Sequence, residues 1–180
     1  VVAGAAIALS LACAAPATAG AEASSVVDWA HLFGDAGNST VSTMCDSVNQ
    51  TQRLSDGGFV AAATFDAPSG STQEHAKGKA DAVLVRYDAD GGELWRGWVE
   101  GEKADLFNGV TEADDGGFVA VGATQSTKFD LEGKSRGMQD GLLAKFDGDG
   151  SLVKAATFGG SGKDVLHRIT PAVDGGFIVV

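Results

Sequence analysis

Aspartates are the residues of this sequence whose type and spacing come closest to a chemical site. Two Asp-x-Asp-Gly turns occur, one at Asp88 and Asp90 and one at Asp147 and Asp149, and paired carboxylates in a tight turn suit a hard cation such as calcium. A calcium loop of the EF-hand type would also need a Glu at its twelfth position, which counted from Asp147 is Phe158. We therefore expect no calcium at these turns, and no other metal or cofactor.

The sequence offers little to nucleophilic or phosphate chemistry. The stretch Gly159–Asp164 is similar to a phosphate-binding loop, but Thr157 stands where such a loop needs Gly, and Asp164 stands where it needs Ser or Thr. No G-x-S-x-G turn leading into a helix is found. The three histidines lie at different phases of the repeat described below: His31, His75 and His167. We expect no catalytic residue in this chain.

The most regular feature of the sequence is a repeat of 59 residues. The motif Asp-Gly-Gly-Phe begins at Asp56, Asp115 and Asp174. Other aspartates keep the same offset: Asp81 and Asp140, Asp88 and Asp147, Asp105 and Asp164. Residues that recur in every copy usually cap turns and accept hydrogen bonds from backbone N–H groups. We therefore interpret these aspartates as structural.

Each copy has the pattern of four short strands joined by turns. In the second copy the pattern predicts strands at Phe118–Ala123, Leu142–Phe146, Leu152–Phe158 and Val165–Thr170. The first copy matches at Val83–Tyr87, Leu94–Val99 and Leu106–Thr111, and Asp-Gly-Gly is expected to lead from each fourth strand into the next unit. No helix longer than one turn is predicted.

A four-stranded unit of this length must stack on neighbours to bury both faces of its sheet, and β-propeller blades do this. The expected fold is therefore all-β, built of propeller blades, with a tandem array of β-sandwiches as the alternative. The units are residues 56–114, 115–173 and the start of a third at 174–180; residues 20–55 are expected to hold part of a blade and a long rim loop at Asn38–Gln52. Because a closed propeller needs at least four blades, we expect the chain to be a fragment of a longer protein.

The first nineteen residues have the pattern of a secretory signal peptide. The segment is apolar and uncharged, and Ala17-Thr18-Ala19 supplies a small-residue cleavage site before Gly20. Cys13 follows Ser10 at the spacing of a lipoprotein signal, but an aliphatic residue is usual in place of Ser10, so we expect no lipid anchor. We predict a secreted or cell-surface protein without a transmembrane span in the mature chain.

The charge and the cysteine count narrow the partners. A formal net charge of −11 without a basic stripe argues against nucleic acid, whose phosphates need clustered Lys and Arg. Once the signal peptide is removed Cys45 is the only cysteine, so neither a disulfide within the chain nor a thiolate metal site can form. The expected partner is a protein or a glycan at the cell surface.

The combination of Asp-Gly-Gly-Phe, Asp-x-Asp-Gly and Phe-Gly-Gly-Ser-Gly-x-Asp from Val26 to Val180 resembles that of secreted bacterial cell-surface proteins with propeller-like repeats. The resemblance implies the fold and an exported location, and little chemistry. Three functions remain open: a binding or adhesion scaffold, a propeller enzyme acting on glycans as a hydrolase or lyase with its site in other blades, and a structural spacer. The copies differ most at Asp66–Ala80 and Gln125–Gln139, which are our candidate contact loops.

Overall fold

The computed structural model describes residues 47–65, 80–131 and 136–180 with their side chains, except that of Phe129, and the backbone of residues 6–11 and 27–33. The fold is all-β, as predicted, and in the described part the only helical segment is a single 3-10 turn at Phe129–Leu131. No helix of the described residues is long and apolar enough to cross a membrane.

Two antiparallel sheets of four strands form the body of the protein. Ahead of them β1 (Ala6–Leu11) pairs with β2 (Val27–Phe33). The first sheet contains, from one edge to the other, β3 (Ser47–Arg53), β4 (Phe59–Phe65), β5 (Asp81–Tyr87) and β6 (Glu93–Val99). The second sheet contains β7 (Asp105–Glu112), β8 (Phe118–Thr124), β9 (Asp140–Phe146) and β10 (Leu152–Phe158). The strands β11 (Ile169–Pro171) and β12 (Phe177–Val179) repeat the positions of β7 and β8.

The two ends of each sheet are closed by different kinds of connection. At one end, which we call the turn rim, five-residue turns at 54–58, 88–92, 113–117, 147–151 and 172–176 join neighbouring strands. In the three Asp-Gly-Gly turns the first glycine has a φ of 77 to 90°, where a side chain would be strained. The opposite end, the loop rim, contains the connections at 100–104, 125–139 and 159–164.

The sheets stack face to face, and the core lies between them. Val60 and Leu84 of the first sheet pack against Phe118 and Leu142 of the second, and all four are buried. Val119, which corresponds to Val60 in the 59-residue repeat, points out of the opposite face of the second sheet and packs with Ile169 and Val179. Equivalent faces therefore meet at successive junctions, and both faces of β4 and β8 are covered, which explains their continuous apolar sequences.

The first strands of the sheets also contact one another through their side chains. β3 and β7 each contain a β-bulge, at Asn49 and at Asn108. The Asn49 side chain donates a hydrogen bond to the Phe107 carbonyl (2.7 Å), and Asn108 donates one to the Leu166 carbonyl (3.0 Å). A bulge turns a side chain away from its ladder, and here it aims each amide at the next sheet.

Two predictions about the phase of the repeat are wrong. Leu106–Thr111 lies in β7, the first strand of the second sheet, and is not a fourth strand of the preceding unit. The Asp-Gly-Gly turn closes a hairpin within one sheet, because Leu54 and Gly58 are joined by a backbone hydrogen bond of 2.8 Å across it, and the chain changes sheet at residues 100–104. Of the matching predicted strand at 165–170, only Ile169 and Thr170 belong to a strand, β11.

The predicted rim loop at Asn38–Gln52 also needs correction. Its last six residues belong to β3, which pairs with β4 from Ser47 onwards. β3 exposes alternate residues, whereas β7, which is also an edge strand, exposes none, so β3 lacks the apolar pattern of β7. Residues 38–46 lie outside the described part of the chain.

In the amino-terminal region the structure describes only two strands, β1 and β2, so only these bear on the predictions made there. β1 falls within the predicted signal peptide and pairs with β2, so cleavage before Gly20 would leave β2 without this partner. Cys13, Cys45 and the predicted cleavage site lie outside the described residues. Export therefore stays a prediction.

Candidate functional site

On the turn rim the recurring aspartates serve the backbone, as the sequence predicts. In each Asp-Gly-Gly turn the aspartate that directly precedes the glycines accepts a hydrogen bond from the N–H of the second glycine, at 2.9 Å for Asp56 and Asp115 and 3.1 Å for Asp174. Asp56 also pairs with Arg86, and Asp115 with Lys145 at 2.6 Å. The Gly58 N–H chiefly lowers the pKa of Asp56, and the Lys145 hydrogen bond chiefly lowers that of Asp115.

The two Asp-x-Asp-Gly turns are built in the same way. Asp88 Oδ1 accepts hydrogen bonds from the N–H groups of Asp90 (3.0 Å) and Gly92 (2.7 Å). Asp147 Oδ1 accepts the corresponding pair at 3.0 and 2.8 Å. These oxygens are occupied by the turn itself. Across the described residues no group of three or more His, Cys, Asp or Glu side chains is placed to hold a metal ion.

The loop rim contains a row of buried polar side chains. Asp105, Thr124 and Asp140 lie opposite one another on β7, β8 and β9, and none of the three is exposed. The Asp105 carboxylate accepts a hydrogen bond from Ser126 Oγ (2.7 Å), and Ser126 in turn accepts one from the Lys103 N–H (2.9 Å). Desolvation by burial raises the pKa of Asp105 to about 6, against the opposing effect of the Thr124 and Ser126 hydroxyls.

Asp105 and Asp164 lie at the junctions where the chain passes from one sheet to the next. Residues Ala80 and Ala104 form a parallel bridge, as do Gln139 and Lys163, 59 residues later. The N–H of the aspartate that follows each bridge, Asp105 or Asp164, donates to the bridging carbonyl across it at 2.8 Å in both cases.

Asp140 and Asp164 come close together at the second of these junctions. One carboxylate oxygen of each lies 2.5 or 2.6 Å from the position that a Cβ on Gly159 would take. The Asp140 carboxylate also accepts the Arg136 N–H at 2.5 Å, and Asp164 accepts the Gly160 N–H at 2.9 Å. The absence of a side chain at Gly159 lets these two carboxylates hold the bases of two neighbouring loops.

The first half of the candidate contact loop at 125–139 is fixed to the rim. Glu102 accepts hydrogen bonds from the N–H groups of Thr127 and Lys128, both at 3.0 Å. Although desolvation raises the pKa of Glu102, these bonds and that from the Thr127 hydroxyl lower it to about 2. Ser126 and Leu131 are fully buried. Only part of the predicted contact loop can therefore meet a partner.

In the described part of the loop rim, the charged and large apolar side chains that are exposed to a partner are mainly cations and one methionine. Among the described residues Met138 is 68% exposed. Four cations of the rim are also exposed: Lys103, Lys128, Arg136 and Lys163. The turn rim, in contrast, exposes six aspartates: Asp56, Asp90, Asp114, Asp115, Asp149 and Asp174. A chain of strongly negative net charge thus keeps much of its exposed acid away from the loop rim.

The remaining sequence motifs are not assembled into a site. Gly159–Asp164 connects β10 to the next sheet, and no helix follows it in the described chain. The letters of a nucleophile elbow occur at Gly133–Gly137, but β9 follows and Ser135 lies outside the described residues. His167 is exposed; His75 and the side chain of His31 are not described.

The buried row was not predicted as a unit. Its signal in the sequence is the recurrence of Asp81 with Asp140 and of Asp105 with Asp164, but Thr124 and Ser126 do not recur, since Phe65 stands at the position of Thr124. The row can be recognised only when the register of β7, β8 and β9 is known.

No family model matches the sequence, and no curated protein is similar to it. Among solved structures the chain is similar to a protein of unknown function from Bacteroides caccae, with a TM-score of 0.43 and 11% sequence identity. That similarity covers 85% of this chain and 42% of the other, so the chain spans about two fifths of that protein's length.

Proposed function

We propose that this chain is an exported β-propeller module that acts as a binding or adhesion scaffold through its loop rim. Its partner is a protein or a glycan of the cell surface. Two features of this rim together carry the proposal. Recurring buried aspartates hold the loop bases, while the exposed parts of the loops differ in sequence between copies. Loops on a rigid scaffold are the usual place for binding residues.

The propeller part of the proposal is supported by the way the sheets stack. The first strands β3, β7 and β11 lie side by side, and the outer strands β6 and β10 contact each other. Equivalent faces meet at each junction, through Val60 at the first and Val119 at the second. Four-stranded sheets stacked in this order are the arrangement of propeller blades.

The binding part is supported by the exposed residues of the loop rim. Lys128, Arg136 and Met138 lie on the connection between β8 and β9, above the anchored Ser126 and Leu131. Cations beside an apolar side chain suit a partner that presents negative charge, and the acidic turn rim would repel the same partner. Asp105 is not exposed, so it supports the loop and does not meet the partner.

The experiment compares two sets of exposed residues. In the loop variant Thr127, Lys128, Arg136 and Met138 are replaced by serine, which leaves the anchors Ser126 and Leu131 intact. In the matched control Asp90 and Asp149 of the turn rim are replaced by serine. Binding of both proteins to intact bacterial cells and to a glycan array is measured. We expect the loop variant to lose binding and the control to keep it; equal loss in both, or no loss in either, would contradict the proposal.

Export is tested separately. We expect a bacterial host that makes the chain with its residues 1–19 to release a product that begins at Gly20. Mass spectrometry of the secreted protein reads that terminus, and Ala19→Leu, which blocks the small-residue site, should retain the uncleaved form. A protein that stays in the cytoplasm with residues 1–19 attached would contradict the exported location.

A further inference from the structure

The first strands of the sheets each have one edge with no partner strand among the described residues. β3 and β7 are the outermost members of their sheets on one side, and β11 pairs only with β12. Such an edge presents N–H and C=O groups that another polar group can bind. These edges lie along the strands, apart from the connections of the loop rim.

At the first junction a side chain covers the edge. Gln50 of β3 reaches β7, where its carboxamide forms two hydrogen bonds with one residue: its oxygen accepts from the Val110 N–H at 3.1 Å, and its Nε2 donates to the Val110 carbonyl at 3.3 Å. A primary carboxamide has the donor and the acceptor that one edge residue requires. Val110 is thereby satisfied without a neighbouring strand.

At the second junction the corresponding carboxamide is missing. Gly109 stands at the position of Gln50, and Ile169 at that of Val110. Arg168 and Val180 exchange both of their backbone hydrogen bonds, at 3.1 Å each. Hydrogen-bonded and non-hydrogen-bonded pairs alternate along an antiparallel ladder, so the next residue, Ile169, turns its N–H and C=O to the open edge. No residue of the described chain bonds to them.

The two junctions differ in the residue of the preceding sheet that faces this edge, which is Gln50 at the first and Gly109 at the second. Gly109 adds no side chain to cover the edge. The two junctions are thus the same structure with and without an amide ligand.

We infer that the edge of β11 at Ile169 is a binding site for a primary carboxamide, which takes the place that Gln50 occupies on Val110. The ligand oxygen accepts the Ile169 N–H, and the ligand NH2 donates to the Ile169 carbonyl. Asparagine and glutamine side chains and amidated carboxyl groups carry this group; a carboxylate lacks the donor and an amine lacks the acceptor. With two hydrogen bonds the site is weak, with a Kd of roughly 10 to 100 mM.

The test is a titration of the full chain, labelled with 15N, with propionamide as the probe and propionate as the control. We expect the Ile169 amide signal to shift and saturate with propionamide and not with propionate, and the Val110 signal to stay in place. No shift at Ile169, or equal shifts with both probes, would overturn the inference.

Two variants test the same geometry from opposite directions. Gln50→Gly uncovers Val110, so we expect Val110 to become a second amide that responds to propionamide. Gly109→Gln supplies a carboxamide within the chain, so Ile169 should stop responding. If the Gly109 variant does not fold, wild type and Gln50→Gly still decide the matter, and a silent Val110 in Gln50→Gly counts against the site. Loss of cell binding by the loop variant above has no bearing on these signals.

Discussion

At the turn rim the same hydrogen bonds occur in each copy of the repeat, whereas at the loop rim the same aspartates support loops of different sequence. Asp115 of the turn rim is exposed and lies beside Lys145, which lowers its pKa. Asp105 of the loop rim is buried, which raises its pKa to about 6. One residue type therefore has opposite electrostatic consequences at the two ends of the same strand, because Asp115 is in contact with solvent and with Lys145 whereas Asp105 is enclosed by protein.

The comparison teaches where a repeat protein can vary without losing its fold. At the second glycine of the first two Asp-Gly-Gly turns there is no room for a side chain, since Gly58 and Gly117 each lie against a backbone carbonyl. The loop rim separates its tasks: buried carboxylates and hydroxyls hold the strand ends, and the loop above them is exposed. Variation at such a rim alters the surface and leaves the sheet pairing intact.

The largest expected difference between the rims concerns glycine. In Gly117→Ala the new Cβ would collide with the Phe146 carbonyl oxygen on the neighbouring strand, and backbone cannot move aside as a side chain can. We expect a loss of about 2–3 kcal/mol in the free energy of unfolding. Gly160→Ala on the loop rim is the control, because nothing lies within 4 Å of its Cβ position. Urea unfolding of both proteins measures this, and similar losses would break the comparison.

The second expected effect is on the pH dependence of stability. Because the folded-state pKa of Asp105, about 6, lies above its ordinary value of 3.8, the folded state binds the proton more tightly than the unfolded state. Asp105 therefore favours folding at pH 4, and this contribution is lost as the pH rises to about 6 and beyond. It is on the order of 2–3 kcal/mol. Asp105→Asn keeps an acceptor for Ser126 and should remove this dependence.

Urea unfolding between pH 2 and pH 7 checks that sign. Asp115→Asn is the matched control on the turn rim: its pKa is lowered, so its contribution is present above its usual pKa and is lost as the pH falls below it. The two variants should change the pH profile in opposite directions. A profile that Asp105→Asn leaves unchanged would show that burial at this rim does not shift the carboxyl.

A smaller effect is expected within one turn of the turn rim. Asp147→Ala removes the acceptor for the N–H groups of Asp149 and Ser151 and should lower the free energy of unfolding by about 1 kcal/mol. Asp149→Ala, whose side chain makes no hydrogen bond to the described residues, should change it by less than about 0.5 kcal/mol. Thermal melts with and without calcium complete the test. A rise in Tm with calcium that Asp149→Ala abolishes would contradict the structural role.

The smallest expected effect is local. In Glu102→Gln the charge that holds the Thr127 and Lys128 N–H groups is removed, so these two amides should exchange with solvent faster while the Tm stays the same. In the wild type, protection should persist at pH 4 and weaken only as the pH falls towards 2, the pKa of Glu102. Glu112→Gln at the other end of β7 is the control. Hydrogen exchange read by NMR would sink the idea if both variants leave the loop equally protected.

Much of this fold can be predicted from the sequence, because the turns have the characteristic sequences Asp-Gly-Gly and Asp-x-Asp-Gly. Positive φ at Gly57 and Gly116 requires glycine, and the apolar β8 between its turns has no reading other than a covered strand. β3 is not predicted from the sequence, because its residues are mostly polar and every second one is exposed. The sheet boundary was misplaced because a repeat of 59 residues has the same period wherever it is cut; only the pairing of Asp105 with Thr124 fixes the phase.

The candidate rim was harder to predict. Recurrence singles out Asp105 and Asp164 but does not say which carboxylates are buried, since burial depends on residues from three strands and two loops. The candidate contact loops are predicted from their sequence variation between copies. The structure excludes Ser126 and Leu131 from the contact surface because both are buried, and no local sequence pattern indicates that burial. The role of Gln50 cannot be predicted from the sequence alone. It becomes evident only when the structure is compared with the next copy, where Gly109 stands at the position of Gln50 and has no carboxamide.

The amides of Asn49 and Asn108 each reach a carbonyl 58 residues further along the chain. The chain segment that must close to form a junction therefore has the same length at both, and its entropy penalty does not grow as sheets are added. Each sheet can dock on its predecessor as soon as one further repeat length has been synthesised. Folding can then follow the chain from its amino-terminal end, and a pause in synthesis would leave one unfinished sheet exposed at a time.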